Sequence, residues 1–330
     1  MRVLVTGSTG FVGGQLIPKL LERGYWVRAL ARDPQRAKSL KKLDVEIHYG
    51  DVTKQASLHK ALHGVEGVIH LASIVGEEGD LKEYYRVNVE GTKNLLHASK
   101  KLALKKWIFI SSLSVVAGTK DHVNTKEDVP YIPLGESYTD TKIEAEKLVL
   151  EAYQKHGLPV VVLRPGFVFG PGDRSFLPEV IHNLQTNKVI LIDKGKKQLY
   201  LTHVENLIQA ILLSLEKSEA IGEVFNITDG EKITKKEFFN SVADLMGHPR
   251  PKKSVPYFLA KTFCKMLAQG QRVADQDNLP HLTQTRLRLA GQNQGFDISK
   301  AKNILGYLPA IPFNEGIKNA VAWQKREAVN

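Results

Sequence analysis

The sequence predicts an α/β protein, a doubly wound parallel sheet with a smaller C-terminal substrate-binding cap. Three observations predict it. Short apolar strands alternate with helical stretches through the first half of the chain, the pattern of a parallel sheet covered on both faces. A glycine-rich segment, Thr6–Gly13, joins the first strand to the first helix. After residue 170 the alternation gives way to turns and irregular helical sequence.

The elements follow in order. Val3–Thr6 reads as a strand, and Phe11–Arg23 as a helix ended by Gly24. Pro18 inside that helix predicts a kink or a displaced carbonyl, because proline lacks the N–H and crowds the preceding turn. Val27–Ala31 is the second strand; Val45, Ile47 and Tyr49 alternate as the third, ahead of Gly50-Asp51. Val68–Leu71, Trp107–Ser111 and Val160–Leu163 are further strands, with helices over Glu90–Lys101 and Glu136–His156. Gly170-Pro-Gly-Asp173 marks a turn, His203–Leu215 a helix, and Val224–Ile227 a strand returning to the main sheet. His248-Pro-Arg-Pro251 reads as a stiff connection. The expected division is a nucleotide-binding domain over 1–169 plus about 199–228, and a cap over 170–198 plus 229–330.

Composition narrows the class. No apolar run approaches the ~20 residues of a spanning helix. The chain enters an apolar strand at Val3 without a leader pattern, and its single cysteine, Cys264, cannot form an internal disulfide. A cytoplasmic protein is the expectation. The net charge of +11 comes partly from the pairs Lys41/Lys42, Lys100/Lys101, Lys105/Lys106, Lys196/Lys197, Lys235/Lys236 and Lys252/Lys253. They are scattered and form no run interleaved with aromatics, so they read as solvated faces rather than a nucleic-acid footprint. No metal site is expected.

Gly7, Gly10 and Gly13, with Thr9, Phe11 and Val12 between and beside them, sit where a strand opens into a helix. Glycines there let backbone approach a pyrophosphate, and the helix N-terminus offers N–H groups and a positive dipole end to it. This is the junction of a Rossmann-type dinucleotide site. At the end of the second strand, an NAD site usually carries an acid for the ribose hydroxyls. Here Ala31 takes that slot and Arg32 follows, with Arg36 and Lys38 close behind. A guanidinium suits the 2′-phosphate of NADP(H), which is the preferred cofactor, with NAD(H) the alternative. The competing reading pairs Arg32 with Asp33. Asp51, next to Val52, ends the third strand within reach of an adenine amino group. Leu71, Ala72 and Ser73 end the fourth, beside the cofactor cleft, and His70 reads as a satisfied core histidine.

Tyr138 and Lys142 stand four residues apart, on one helix face, where the cation can lower the phenol. Tyr257 and Lys261 repeat the spacing, so spacing alone does not choose between them.

The ordered motifs choose. Thr6–Gly13, Gly50-Asp51-Val52, His70–Ser73, Asn88-Val-Glu-Gly-Thr92, Ser111-Ser112, Tyr138/Lys142, Arg164-Pro-Gly-Phe-Val-Phe-Gly-Pro-Gly-Asp173, His203-Val-Glu-Asn206 and Phe225-Asn-Ile227 run along nearly the whole chain. With them the chain resembles the extended short-chain dehydrogenases/reductases, of the NAD(P)-dependent epimerase/dehydratase group. Tyr138 follows the serine-bearing strand by 26 positions, as that family requires, and Tyr257 has no such partner. The resemblance implies a catalytic set of Ser112, Tyr138 and Lys142, with Ser111 and Ser114 as lesser candidates for the serine. Ser112 would hydrogen-bond the substrate oxygen, Tyr138 would exchange its proton, and Lys142 would hold the nicotinamide ribose. Asn88 matches an asparagine supporting a water or backbone link, with a purely structural role as the rival. Pro165 and Val168 would lie beside the cofactor. On the same helix Ala145, Leu148, Val149 and Ala152 form an apolar stripe that would dock the catalytic pair on the sheet.

Val27-Arg28 and Arg32-Asp33-Pro34 resemble dihydroflavonol reductase-like enzymes, and Gly170–Asp173 with His203-Val-Glu-Asn206 resemble the 3β-hydroxysteroid dehydrogenase-like branch. Sugar-nucleotide epimerases typically place an arginine where Leu199 stands here. The resulting expectation is an NADP-dependent oxidoreductase reducing a carbonyl, or oxidising the alcohol, of a fairly apolar small molecule: steroid-like, flavonoid-like or a β-keto compound. The alternatives are a nucleotide-sugar epimerase/dehydratase with tightly held NAD, and a silent NADP(H)-binding sensor or scaffold. A homodimer is implied by resemblance. In Ser254–Gln271, Phe258, Leu259, Phe263, Met266 and Leu267 share a helix face; core packing or a lid is expected, with membrane-surface contact the lesser alternative.

Overall fold

The computed structural model describes residues 1–76, 79–118, 120–270 and 284–328, with side chains at 265–270 and 284–285 left out. Seven strands form one parallel sheet: β1 (Arg2–Thr6), β2 (Trp26–Ala31), β3 (Glu46–Tyr49), β4 (Gly67–His70), β5 (Lys106–Ile110), β6 (Val160–Pro165) and β7 (Val224–Ile227). Their order is β7-β6-β5-β4-β1-β2-β3. The order reverses at β1, which pairs with β2 on one side and β4 on the other. In open parallel sheets that reversal opens a crevice beyond the C-terminal strand ends. The glycine loop leaves β1 at this point, and Leu71 leaves β4 beside it.

Helices α1 (Phe11–Glu22), α2 (Gln55–Leu62), α3 (residues 81–99), α4 (Ser137–His156), α5 (Phe176–Gln185), α6 (Val204–Glu216), α7 (Lys235–Met246), α8 (Tyr257–Gly270), α9 (Gln284–Gly291) and α10 (Phe313–Glu327) complete the framework. One face of the sheet buries Val3, Val5, Leu16, Ile17, Leu20, Ile208 and Ile211 between the strands, α1 and α6. Ile298, Ala301, Leu305 and Tyr307, late in the chain, pack into this core. The other face buries Leu4, Val68, Leu95, Trp107, Phe109 and Val149 against α2, α3 and α4. A third cluster, including Phe169, Leu177, Ile181, Phe238, Phe313 and Ile317, joins α5, α7 and α10. Every residue of β6 is buried, which is why its sequence is a run of valines instead of an alternation.

The strands fall within a residue or two of where the sequence puts them, and Val224–Ile227 pairs with β6 at the sheet edge as expected. α1 runs through Pro18 from Phe11 to Glu22. The helix expected over Glu90–Lys101 is present as the last part of α3, Gly91–Ser99, and it is extended backward by a turn not expected from the sequence. α3 begins at Leu81, with Asp80 accepting the Lys82 N–H at 3.0 Å as its cap. Its middle, Tyr85–Glu90, is a π-helical turn, so the period breaks where a regular 3.6-residue pattern would be sought. The turn around Gly170–Asp173 ends in a cap: the buried Asp173 carboxylate accepts the N–H groups of Ser175 at 2.9 Å, Phe176 at 3.1 Å and Leu177 at 2.8 Å, starting α5.

Of the two roles expected along Ser254–Gln271, core packing or a lid, core packing does not describe Phe258, Leu259 and Phe263, which are exposed. Among the described side chains of α8, Ala260 and Cys264 are buried and Tyr257 partly so, against Ile192 and Leu287. Small side chains let the helix sit close to its neighbours, so the larger ones are left outside. The side chains of Lys265, Met266 and Leu267 and the end of that segment at Gln271 lie outside the described residues. Among the described residues no helix is long and apolar enough to cross a membrane.

Candidate active site

The site is built from strand ends and two helices. At the end of β1, Gly7 has φ of +66°, and a Cβ there would stand 2.8 Å from both the Leu71 carbonyl carbon and the Ala72 nitrogen. At Gly13 a Cβ would stand 2.3 Å from the Gly7 oxygen. Only glycine fits either place, so loop, β4 end and helix close into a backbone cradle. Gly10 is the N-cap of α1, with no side-chain cap and no acid in the first turn. The first N–H groups of α1 are thus uncapped by any side chain and free of repelling carboxylates. Together, the cradle and the uncapped helix start suit a dinucleotide pyrophosphate. Thr9, Phe11 and Val12 lie at this junction, and Ser8 ties it to β2 by donating to the Leu30 carbonyl at 2.8 Å.

Arg32 is exposed at the end of β2, directly after the buried Ala31. Asp33 does not pair with it: that carboxylate accepts the Gln35 N–H at 2.8 Å. Arg28, part of the reductase-like pattern, is buried, donates to the Ala61 and His63 carbonyls at 2.7 and 2.8 Å, and forms an ion pair with Glu46 at 3.0 Å. Its role is internal. Asp51 accepts from the Thr53 N–H at 2.9 Å and hydroxyl at 3.0 Å, shaping the loop after β3, with Val52 buried behind it. Leu71, Ala72 and Ser73 are partly buried along the loop leaving β4, and the Ala72 N–H donates to Thr6 at 3.2 Å. His70 is the core histidine expected: Thr6 at 2.7 Å and Thr92 at 2.9 Å bracket its ring nitrogens, beside Trp107 and Phe109. Burial pulls its pKa down to about 3, with a smaller push from the Lys142 charge, so the ring is neutral.

Ser112, Tyr138 and Lys142 come together beyond β5. The Ser112 hydroxyl accepts the Ser114 N–H at 3.1 Å and lies near enough to the Tyr138 phenol to pull its pKa downward. Ser111 is engaged elsewhere, donating to Glu146. Lys142 is buried; its Nζ donates to the Ile110 carbonyl and lies 4.5 Å from the centroid of the Phe109 ring. Burial lowers its pKa to about 7 while Glu146 pulls upward. One expectation is corrected here. The Tyr138 phenol is raised, not lowered: burial outweighs the downward pull of Ser112, and the Lys142 ammonium is turned toward β5. Asn88 touches neither group. Its side chain accepts from the Ile74 N–H at 2.8 Å and donates to the Ile74 carbonyl and the Thr141 hydroxyl, both at 3.1 Å. It staples the loop after β4 to the catalytic helix. Pro165 is buried at the end of β6, and Val168 lies partly buried on the short strand Phe167–Phe169 that follows.

Three networks escaped the sequence reading. The buried Glu146 and Arg164 pair bidentately behind the catalytic helix. Asp173 caps α5. Asn206 accepts the N–H groups of Ala310 and Ile311, at 2.9 and 3.0 Å, and donates to Asp229 at 2.8 Å, pinning the approach to α10. The spacing Tyr138, Lys142, Glu146 was the one signal for the first, since it puts an acid on the catalytic face.

The profile of the NAD dependent epimerase/dehydratase family matches residues 3–228, which contain the glycine cradle and the catalytic set. The chain belongs to that family. Within it, the chain is 33% identical to a 3-beta-hydroxysteroid dehydrogenase of Mycolicibacterium neoaurum, over 98% of this chain and 91% of the relative. It is 31% identical to the mouse decarboxylating sterol-4-alpha-carboxylate 3-dehydrogenase, over 97% and 90%. An Arabidopsis thaliana 3beta-hydroxysteroid-dehydrogenase/decarboxylase, isoform 2, is 31% identical but longer: the aligned part covers 96% of this chain and 61% of that protein. Among solved structures, the UDP-glucuronic acid 4-epimerase of Bacillus cereus in complex with NAD superposes with a TM-score of 0.78 at 26% identity, over 99% of both chains. The chain is an extended short-chain dehydrogenase/reductase, an NAD(P)-dependent oxidoreductase acting on a CH–OH/C=O couple.

Proposed function

We propose that this enzyme reduces the carbonyl of a fairly apolar, steroid-like molecule, with NADPH as the preferred cofactor and Tyr138 as the proton donor. The convergence of Ser112, Tyr138 and the buried Lys142 beyond the C-terminal end of β5 carries the reading, because it puts a phenol beside a second hydroxyl where a carbonyl oxygen would be reduced. The nicotinamide, when bound, supplies the hydride. The residues of the chain supply the rest. Burial holds the Tyr138 phenol above its ordinary value, so it is protonated near neutrality and ready to donate to an oxygen gaining negative charge. Ser112 orients the phenol. Lys142, one helical turn on, is the cation for the ribose hydroxyls.

Two observations support an apolar substrate. Leu113, Val115, Val116, Ile143 and Tyr200 form a buried cluster beside Ser112 and Tyr138, flanked by Phe167 and Phe296. The named substrates of the relatives are steroids and sterols, and a farnesyl quinoline ketoreductase of Stigmatella aurantiaca is 28% identical over 96% of this chain. Arg32 supports NADPH, since it is exposed after Ala31 and has no hydrogen-bond or ion-pair partner among the described residues. A homodimer is part of this reading by family resemblance, and gel filtration with light scattering checks it.

Nucleotide-sugar epimerisation is the second reading, favoured by the structural likeness to the Bacillus cereus enzyme. Against it stands Leu199, half-buried on a short strand paired with Ile233, where such enzymes typically carry an arginine. Nucleotide released on denaturation separates the two: tightly retained NAD would favour the epimerase. For the reductase, Tyr138→Phe is the direct test. With NADPH and a 3-oxosteroid panel followed at the nicotinamide absorbance, turnover on the identified ketone should fall ~10²–10⁴-fold, the usual size of general acid–base catalysis. Dinucleotide affinity should hardly change. Full turnover by the variant would refute the mechanism.

A further inference from the structure

Glu146 does not reach the cofactor cleft, yet it is the most constrained carboxylate around the catalytic helix. It lies one turn beyond Lys142 and two beyond Tyr138, on the same face of α4. Its side chain is fully buried, and that of its partner Arg164 nearly so. Arg164 sits on β6, at the strand end next to β5. Its Nη2 donates to Oε1 at 2.6 Å, and its Nε donates to Oε1 and Oε2 at 3.0 and 3.2 Å. Tyr131 donates its hydroxyl to Oε1 at 3.0 Å, and the Ser111 hydroxyl donates to Oε2. Arg164 also donates Nη1 to the Glu127 carbonyl at 3.1 Å. One carboxylate thus ties together the catalytic helix, the serine-bearing end of β5, the end of β6 and the 127–131 loop.

We propose that Glu146, clamped by Arg164, Tyr131 and Ser111, is a positioning residue for the Ser112/Tyr138/Lys142 set: it fixes α4 against the end of β5 and places a negative charge one turn from the Lys142 ammonium. Ser111 is bonded to Glu146, and Ser112, next in the chain, is the serine near Tyr138, so the tether at Ser111 sets where Ser112 stands against the same helix face. The charge matters because Lys142 is stripped of water. The groups facing it are the Phe109 ring and Ile110 carbonyl on β5, neutral His70 on β4, and Glu146 on its own helix. Glu146 is the acidic group among them, opposing the burial that drives Lys142 toward neutrality. Arg164 pairs with that carboxylate and orients it in a site where an unpaired charge would be costly.

The inference rests on the cofactor reading above but can fail separately from it. NADP⁺ and NAD⁺ are titrated calorimetrically into the full-length enzyme from pH 6 to 9, for wild type, Glu146→Gln and Tyr138→Phe, with melting temperatures measured alongside. Where Lys142 is protonated it serves the ribose, so wild-type affinity should decline as pH rises through the Lys142 titration. In Glu146→Gln that decline should move about one pH unit lower, while Tyr138→Phe follows wild type. A merely structural glutamate would change the melting temperature and leave the profile in place. If Glu146→Gln does not fold, Glu146→Gln combined with Arg164→Met removes both charges together and should show the same shift. Ser111→Ala, which keeps the ion pair, should lower turnover roughly five-fold or more with unchanged dinucleotide affinity. Superimposed pH profiles in a folded charge variant, or full turnover in Ser111→Ala, would overturn the inference alone. Wild-type enzyme that binds neither dinucleotide would overturn the cofactor reading as well.

Discussion

At the scale of single residues, the proposed preference for NADP rests on Arg32 and on what surrounds it. Its neighbour Ala31 brings no carboxylate to the end of β2, and Asp33 is turned to its own backbone. Replacing Arg32 by alanine should weaken NADP⁺ binding about 10- to 100-fold, the value of one charge-assisted phosphate contact, and leave NAD⁺ within about two-fold. Calorimetry with both dinucleotides checks it, and equal or tighter NAD⁺ binding by wild type would refute the assignment. The candidate could be named from sequence because the cofactor slot lies at a fixed place after a strand. The Tyr138 phenol was only half legible. Its partner serine and lysine followed from spacing and resemblance, but the sign of its shift did not. That sign depends on how much water the fold removes and where Lys142 points, neither of which a spacing of four residues contains.

At the scale of elements, the glycine cradle is the clearest case of sequence written by geometry. Gly7→Ala would put a methyl 2.8 Å from two backbone atoms at a φ of +66°. It should cost ~2 kcal/mol or more of stability and abolish measurable dinucleotide binding. Urea unfolding and a binding titration of the same preparation test both halves. Strands and the long helix α4 were readable because burial imposes a period: Ala145, Val149 and Ala152 are buried, and Leu148 partly so. The last part of α3 was legible, but its start at Leu81 was not, because a π-helical turn breaks the period, and that same segment carries Asn88, whose bonds link the β4 loop to Thr141. In α8 the core-packing half of the expectation fails. A stripe of large apolar residues suggests a buried face, but among the described side chains Ala260, Cys264 and part of Tyr257 make the contact, and Phe258 and Phe263 do not.

Across the whole molecule, buried titratable groups tie stability to pH. His70 stands between β1, β4 and α3, and burial holds its pKa near 3, well below the ordinary 6.5. A base whose folded pKa is depressed contributes stability that is present above about pH 6.5 and lost as pH falls toward 3. The stability advantage of wild type over His70→Gln should therefore shrink steadily between pH 6.5 and 3. Denaturant titrations at several pH values across that window measure it; a constant difference would contradict the neutral, buried ring.

The sequence by itself determined the alternation of strands and helices, the glycine loop, the family and the proposed Ser112/Tyr138/Lys142 set, because each of these is written in short-range pattern: a period, a spacing, or a glycine where nothing else fits. The tertiary structure alone decided what those residues experience. It raised Tyr138, turned Lys142 toward Ile110, spent Arg28 on carbonyls, and brought Ser111, Tyr131, Glu146 and Arg164 to one buried carboxylate. Those outcomes depend on desolvation and on contacts between residues far apart in the chain, and such contacts exist only once the sheet has closed over its helices.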